Sequence, residues 1–105
     1  MVEDELRKYQ IRADIVKAMA HPTRLFIMQK INEKRYSVND LRNMIGCDLS
    51  TVSKHINVLK KSGIIIGCKE GTSIYYSLKV PCIMNFMDCI ETLIRENAIE
   101  QLKDI

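Results

Sequence analysis

The stretch from Val38 to Gly63, VNDLRNMIGCDLSTVSKHINVLKKSG, concentrates the polar chemistry of this chain. Ser50, Thr51, Ser53, Lys54, His55, Asn57 and Lys60 fall within a single expected helix, with Arg42 on the one before it. Short hydroxyls approach base edges and phosphates closely, while Lys, Arg and His supply the positive charge that a polyanion attracts. Val52, Ile56 and Leu59 recur at helical spacing and hold the opposite side in a core. A helix with hydroxyls and cations on one side and apolar residues on the other suits the major groove of duplex DNA. Ordinary solvated helices also carry Ser, Lys and His, so the pattern takes its weight from the elements around it.

Four cysteines, Cys47, Cys68, Cys82 and Cys89, include no C-x-x-C pair, so free thiols are expected in a reducing compartment. Cys82 and Cys89 are seven residues apart on the expected last helix, which sets them ~10 Å apart along its axis. Neither one ion nor a disulfide bridges them within one helix. Two alternatives stand: small buried packing residues, or thiolates for a thiophilic metal or metalloid completed across a dimer or by Cys68 or Cys47. His21 and His55 are the only histidines, and neither has a second histidine one turn away. His55 is therefore expected to face DNA or solvent rather than a metal.

Other segments position this helix. Leu6, Ile11, Ile15 and Met19 predict an amphipathic helix to about Ala20, which His21-Pro22 breaks. A second helix starts there, with Leu25, Ile27, Met28 and Ile31 buried. Ser37-Val-Asn-Asp40 reads as a capping box for a short helix that turns Val38, Leu41, Met44 and Ile45 inward and stops at Gly46. Asp48 caps the next helix and Ser62-Gly63 closes it. Ile64–Ile66 and Ile74–Leu78 flank a glycine-containing turn and predict a β-hairpin, a wing over 64–78. From about Pro81 to Leu102, Ile83, Phe86/Met87, Ile90, Leu93/Ile94, Ala98 and Leu102 mark a long helix with nothing left to pack on in so small a domain. The expectation is mainly α with a small two-stranded wing: one winged helix-turn-helix domain over 1–105. Residues 37–62 form the helix-turn-helix, and 1–20 with 81–105 are dimerisation helices.

Composition agrees. The chain has 105 residues, 47% hydrophobic and 28% charged, with a formal net charge of +3, which is one ordinary globular domain. Its charge is segregated: from Pro81 onward five acidic residues face two basic ones, whereas fourteen basic and eight acidic residues precede it. A basic body points to a polyanion, and the acidic end to a different task. No apolar run approaches the ~20 residues of a membrane span, and the charged start lacks a secretory apolar core. A cytoplasmic protein without membrane partners is expected. Gly-rich phosphate loops, a nucleophile elbow and paired carboxylates are all missing, which argues against an enzyme.

STVSKHINVLKKSGII, the upstream AMAHPTRLFIM and the E-G-x-x-x-Y-Y hairpin together resemble the ArsR/SmtB family of bacterial and archaeal repressors over about residues 13–80. The resemblance implies a homodimer built from the first and last helices, a partly palindromic operator in double-stranded DNA, and release by an effector. On the wing, Lys69, Thr72 and Ser73 are the expected phosphate contacts, opposed by Glu70. A thiolate site in the V-C-D-L-C pattern of the family is lost here, where the chain reads Val38-Asn39-Asp40-Leu41-Arg42, and the last helix has no histidine. Cys82 and Cys89 remain the candidates for metal or thiol chemistry. The competing function is a winged helix that contacts only proteins, which the cations Arg42, Lys54, Lys60 and Lys61 argue against.

Overall fold

His21 and Pro22 set the first boundary in the chain. Proline has no amide to donate and fits the opening turn of a helix, and the His21 Nδ1 accepts from the Thr23 N–H at 3.0 Å. The computed structural model, which describes residues 1–104, places α1 at Glu3–Met19 and α2 at Pro22–Glu33 on either side of that break. Ser37 opens α3 (Val38–Ile45) through the expected reciprocal box. Its Oγ accepts from the Asp40 N–H at 3.2 Å, and Asp40 Oδ2 accepts from the Ser37 N–H at 3.0 Å. Gly46 ends α3 at φ +82°, a left-handed conformation that other residues adopt at a cost. Two residues on, Asp48 caps α4 (Leu49–Lys61), its Oδ1 accepting from the Thr51 N–H at 2.7 Å.

The wing has three strands rather than the two expected. β2 (Ile65–Glu70) and β3 (Ser73–Leu78) form the hairpin, and β1 (Tyr36–Ser37) adds to the far side of β3, giving the antiparallel order β1-β3-β2. Tyr36 pairs with Tyr76 and Ser37 with Tyr75, so the residue that caps α3 also belongs to the sheet. Strand alternation turns Ile65 inward and Ile66 out to solvent.

Ile27, Met28, Leu41, Val52, Leu59 and Ile65 form the centre of the core, where α2, α3, α4 and the sheet meet. Tyr76 and Leu78 close it from β3, and Met19 and Met84 from the ends of the outer helices. Met44, expected inward, lies exposed.

A short 3-10 turn, Pro81–Ile83, precedes α5 (Met84–Lys103). Apart from Met84, with Ile83, Met87 and Ile90 half-buried, the expected stripe of this segment stays in solvent, including Phe86, Leu93, Ile94 and Leu102. The same holds for Leu6 and Ile11 on α1. Ile105, the last residue of the expected dimerisation segment, lies outside the described residues. No described helix is long and apolar enough to cross a membrane.

Candidate nucleic-acid interface

Helical geometry sorts the residues of α4 into separate faces. Val52, Ile56 and Leu59 are buried against α2 and the sheet. On another side, Ser50, Ser53, Lys54, Asn57 and Lys60 line one open groove of about 480 Å³, with Val38 and Tyr76 on its opposite wall. The groove thus carries two hydroxyls, an amide and two ammonium groups on three successive turns. That mixture suits both base edges and phosphate oxygens.

Two residues expected beside them stand apart. Thr51 is half-buried, and its amide is held by the Asp48 carboxylate. This hydrogen bond is the largest influence holding Asp48 below the usual carboxylate range. An anionic carboxylate therefore already occupies part of the start of α4, where free amides would otherwise invite a phosphate. His55 lies on the flank toward α2. Its Nδ1 is 3.2 Å from Arg24 Nη1, and its ring centroid is 4.3 Å from that of His21. Arginine has no acceptor, so Arg24 donates and His55 Nδ1 accepts. Burial pushes the His55 imidazole below its ordinary pKa, and neighbouring His21 and Arg24 act in the same direction. Arg42 is exposed on α3 and does not line the groove.

The wing sorts its residues by register. Gly67 faces Tyr76 and Lys69 faces Ile74, so these four share the side of the sheet that closes the groove. A β-carbon at Gly67 would come within 2.9 Å of Ile74 Cγ2 and 3.2 Å of Tyr76 Cε1, so the bare backbone there lets both side chains lie across β2. Cys68, Glu70, Ser73 and Tyr75 occupy the other side. Thr72 is exposed in the turn.

This placement resolves the conflict between Glu70 and DNA. Its carboxylate is turned from the groove side and paired with Arg35, whose guanidinium also lies 5.6 Å from the centre of the Tyr75 ring. Such an exposed ion pair contributes little stability, but it cancels the wing's negative charge. Lys69 is left as the cation on the groove side, and Ser73, on the Glu70 side, is separated from it.

Sequence reading missed Arg24 and Arg35. Both partners are distant along the chain, 31 residues for Arg24–His55 and 35 for Arg35–Glu70, and no local periodicity encodes them. The thiols also differ from expectation. Cys68, Cys82 and Cys89 are exposed and Cys47 is half-buried in the single chain, so nothing within one copy packs on Cys82 and Cys89 as a core would. Cys82 sits in the 3-10 turn rather than on α5. Among the described residues, no three His, Cys, Asp or Glu side chains gather in a cluster that could hold a metal ion.

The family model described as "Bacterial regulatory protein, arsR family" matches residues 21–66, from the cap of α2 into β2. The HTH-type transcriptional regulator MJ1325 of Methanocaldococcus jannaschii is 38% identical over 72 residues, 68% of this chain and 81% of that protein. The biofilm growth-associated repressor of Xylella fastidiosa is 32% identical over 72% of this chain and 67% of its own length. Among solved structures, Rv0081 of Mycobacterium tuberculosis superposes with a TM-score of 0.81 at 24% identity, covering 90% of this chain and 95% of that one. The homodimeric winged helix-turn-helix DNA-binding domain Mb0332 of Mycobacterium bovis gives 0.80 at 21%, covering 93% and 91%. At those identities the structures speak for the fold alone. The two sequence relatives and the family match speak for more: this chain belongs to the arsR family of helix-turn-helix regulatory proteins and is a DNA-binding transcriptional regulator, not an enzyme.

Proposed function

We propose that two copies of this chain pair through α1 and α5 and lay their α4 helices into successive major grooves of double-stranded DNA as a cytoplasmic repressor. The observation that carries this reading is the convergence of Ser50, Ser53, Lys54, Asn57 and Lys60 on one groove, with Lys69 on the same side of the wing. In this account Ser50, Ser53 and Asn57 address base edges. Lys54, Lys60, Lys69 and the exposed Thr72 hold phosphates and set the register. Thr51, His55, Arg42 and Ser73 contribute outside the groove: Thr51 and His55 by fixing α4, Arg42 and Ser73 by flanking backbone contacts. Pairing places the two recognition helices about one turn of DNA apart, ~34 Å. The exposed apolar residues of α1 and α5 support the pairing, and the name of the Mycobacterium bovis relative records a homodimer.

Among the described residues, no three His, Cys, Asp or Glu side chains gather closely enough for one chain to hold a metal by itself. The exposed Cys82 and Cys89 instead suit a thiophilic metalloid or soft metal shared between two protomers, or a thiol-reactive compound. By linkage, such an effector binds the DNA-free dimer better by the same factor that it weakens DNA binding.

Fluorescence anisotropy of the reduced protein on DNA from just upstream of its own gene, with and without arsenite, tests both halves. Binding lost on adding arsenite supports the repressor and its thiol effector. Binding unchanged by arsenite keeps the docking and removes this effector. Failure to bind even at low salt counts against the docking and favours a winged helix devoted to protein contacts.

A further inference from the structure

Three elements meet at a small polar cluster that the α4 groove does not use. Arg24, on the opening turn of α2, donates from Nε to the Ala18 carbonyl near the end of α1 at 2.6 Å, and from Nη1 to His55 Nδ1 on α4 at 3.2 Å. One planar guanidinium thus clamps the end of the outer helix to the middle of the recognition helix. Its forked, planar donors reach both acceptors at once. The His21 ring lies against that of His55, with centroids 4.3 Å apart and planes tilted by 40°, and its own Nδ1 is occupied as the cap of α2. Each of the two imidazoles therefore presents an unprotonated Nδ1 as an acceptor.

Resting on the reading that α4 docks DNA, we infer that Arg24 is a positioning residue that ties α1 to the recognition helix through His55, and that protonation of His55 opens the tie. A proton on Nδ1 replaces an acceptor by a donor that points at a guanidinium, and the lost hydrogen bond becomes a repulsion between two cations. The charged and titratable groups acting on His55 are His21 and Arg24, both from the start of α2. α1 presents to the cluster the Ala18 carbonyl, already taken by Arg24. From α3 and the sheet, no carboxylate among the described residues acts on His55 to offset the new charge. The lowered pKa of His55 agrees with this geometry. The sign follows from linkage. A base whose pKa is lower in the folded state than in the unfolded one leaves stability intact above the unfolded value, about pH 6.5, and stability falls as the pH drops below it.

The direction separates this tie from a DNA-facing histidine. A surface imidazole gains positive charge on acidification and strengthens binding to a polyanion. The Arg24–His55 tie predicts weakening. The experiment measures DNA affinity by anisotropy between about pH 7.5 and about pH 5.5 for the wild-type chain and for His55→Asn, whose amide oxygen replaces Nδ1 as an acceptor that does not titrate. Thermal unfolding of the free proteins is followed in parallel. The wild type is expected to bind severalfold more weakly at the lower pH and to lose thermal stability. His55→Asn should hold both nearly constant. His55→Gln serves as a second variant if the first does not fold. Wild-type affinity that rises or stays level on acidification overturns the tie, as does a variant that remains as pH-sensitive as the wild type. No DNA binding at pH 7.5 overturns the docking reading itself, whereas binding at pH 7.5 that survives acidification overturns only the tie.

Discussion

Helices α4 and α5 both carry apolar residues at helical spacing, yet they use them in opposite ways. On α4, Val52 and Leu59 are 0% exposed and Ile56 3%, held between α2 and the sheet. On α5, Leu93 and Ile94 are each 57% exposed and Leu102 71%. The difference lies in what surrounds each helix. α4 is enclosed by α2, α3 and the sheet, whereas α5 leaves the body after its first two turns with little of this chain to pack on. Its amphipathic pattern leaves an apolar stripe uncovered in a single copy, the face that the proposed pairing would bury. α1 shows the same contrast within one helix: Met19 is buried at its end, and Leu6 and Ile11 are exposed along its length. One half of the molecule buries its apolar residues and the other leaves most of them in solvent.

The largest effect is expected on the α4 side. Leu59→Ala leaves a cavity in the fully buried core and should cost about 2–5 kcal/mol in chemical or thermal unfolding. For a domain of this size such a loss is a large part of total stability. A cost well under 1 kcal/mol would mean that α4 is not the anchored element described here.

On the other side, Leu93→Asp combined with Ile94→Asp should leave the secondary structure intact while light scattering reports a monomer. DNA affinity then falls by roughly a hundredfold or more, because the second recognition helix no longer binds as part of the same molecule. A dimer that survives both charges would move the pairing surface away from this part of α5.

A smaller effect sharpens the comparison at the join of sheet and helix. Ser37 caps α3 and pairs with Tyr75, so Ser37→Ala should remove about 1 kcal/mol of stability without changing the association state.

Much of this architecture could be read along the chain because local chemistry imposes it. Pro22 after His21, the Ser37–Asp40 box, Gly46 and the Asp48 cap each act within about four residues, and each appears where expected. β1 was missed because two residues are too short to show an alternation, and only pairing with β3 defines it. The candidate site was partly legible. Helical spacing groups Ser50, Ser53, Lys54, Asn57 and Lys60, and the structure brings these together. The same stretch suggested Thr51 and His55, whose angular position on the helix carries them to the flank, where a partner from α2 claims His55. Glu70 read as an obstacle to DNA until register turned it to the other side of the wing and Arg35 neutralised it. Contacts between residues more than 30 positions apart depend on how the elements pack, and no short motif announces them.

The central claim is that the groove face of α4 meets DNA, and the most direct test is the salt dependence of DNA binding by the wild type and by Lys54→Ala. The account predicts weaker binding for the variant, a log–log salt slope shallower by about 1, and an unchanged dimer, because one phosphate contact and its released counterion are lost. Identical affinity and slope for the two proteins would contradict it and place the DNA-binding surface elsewhere on the molecule.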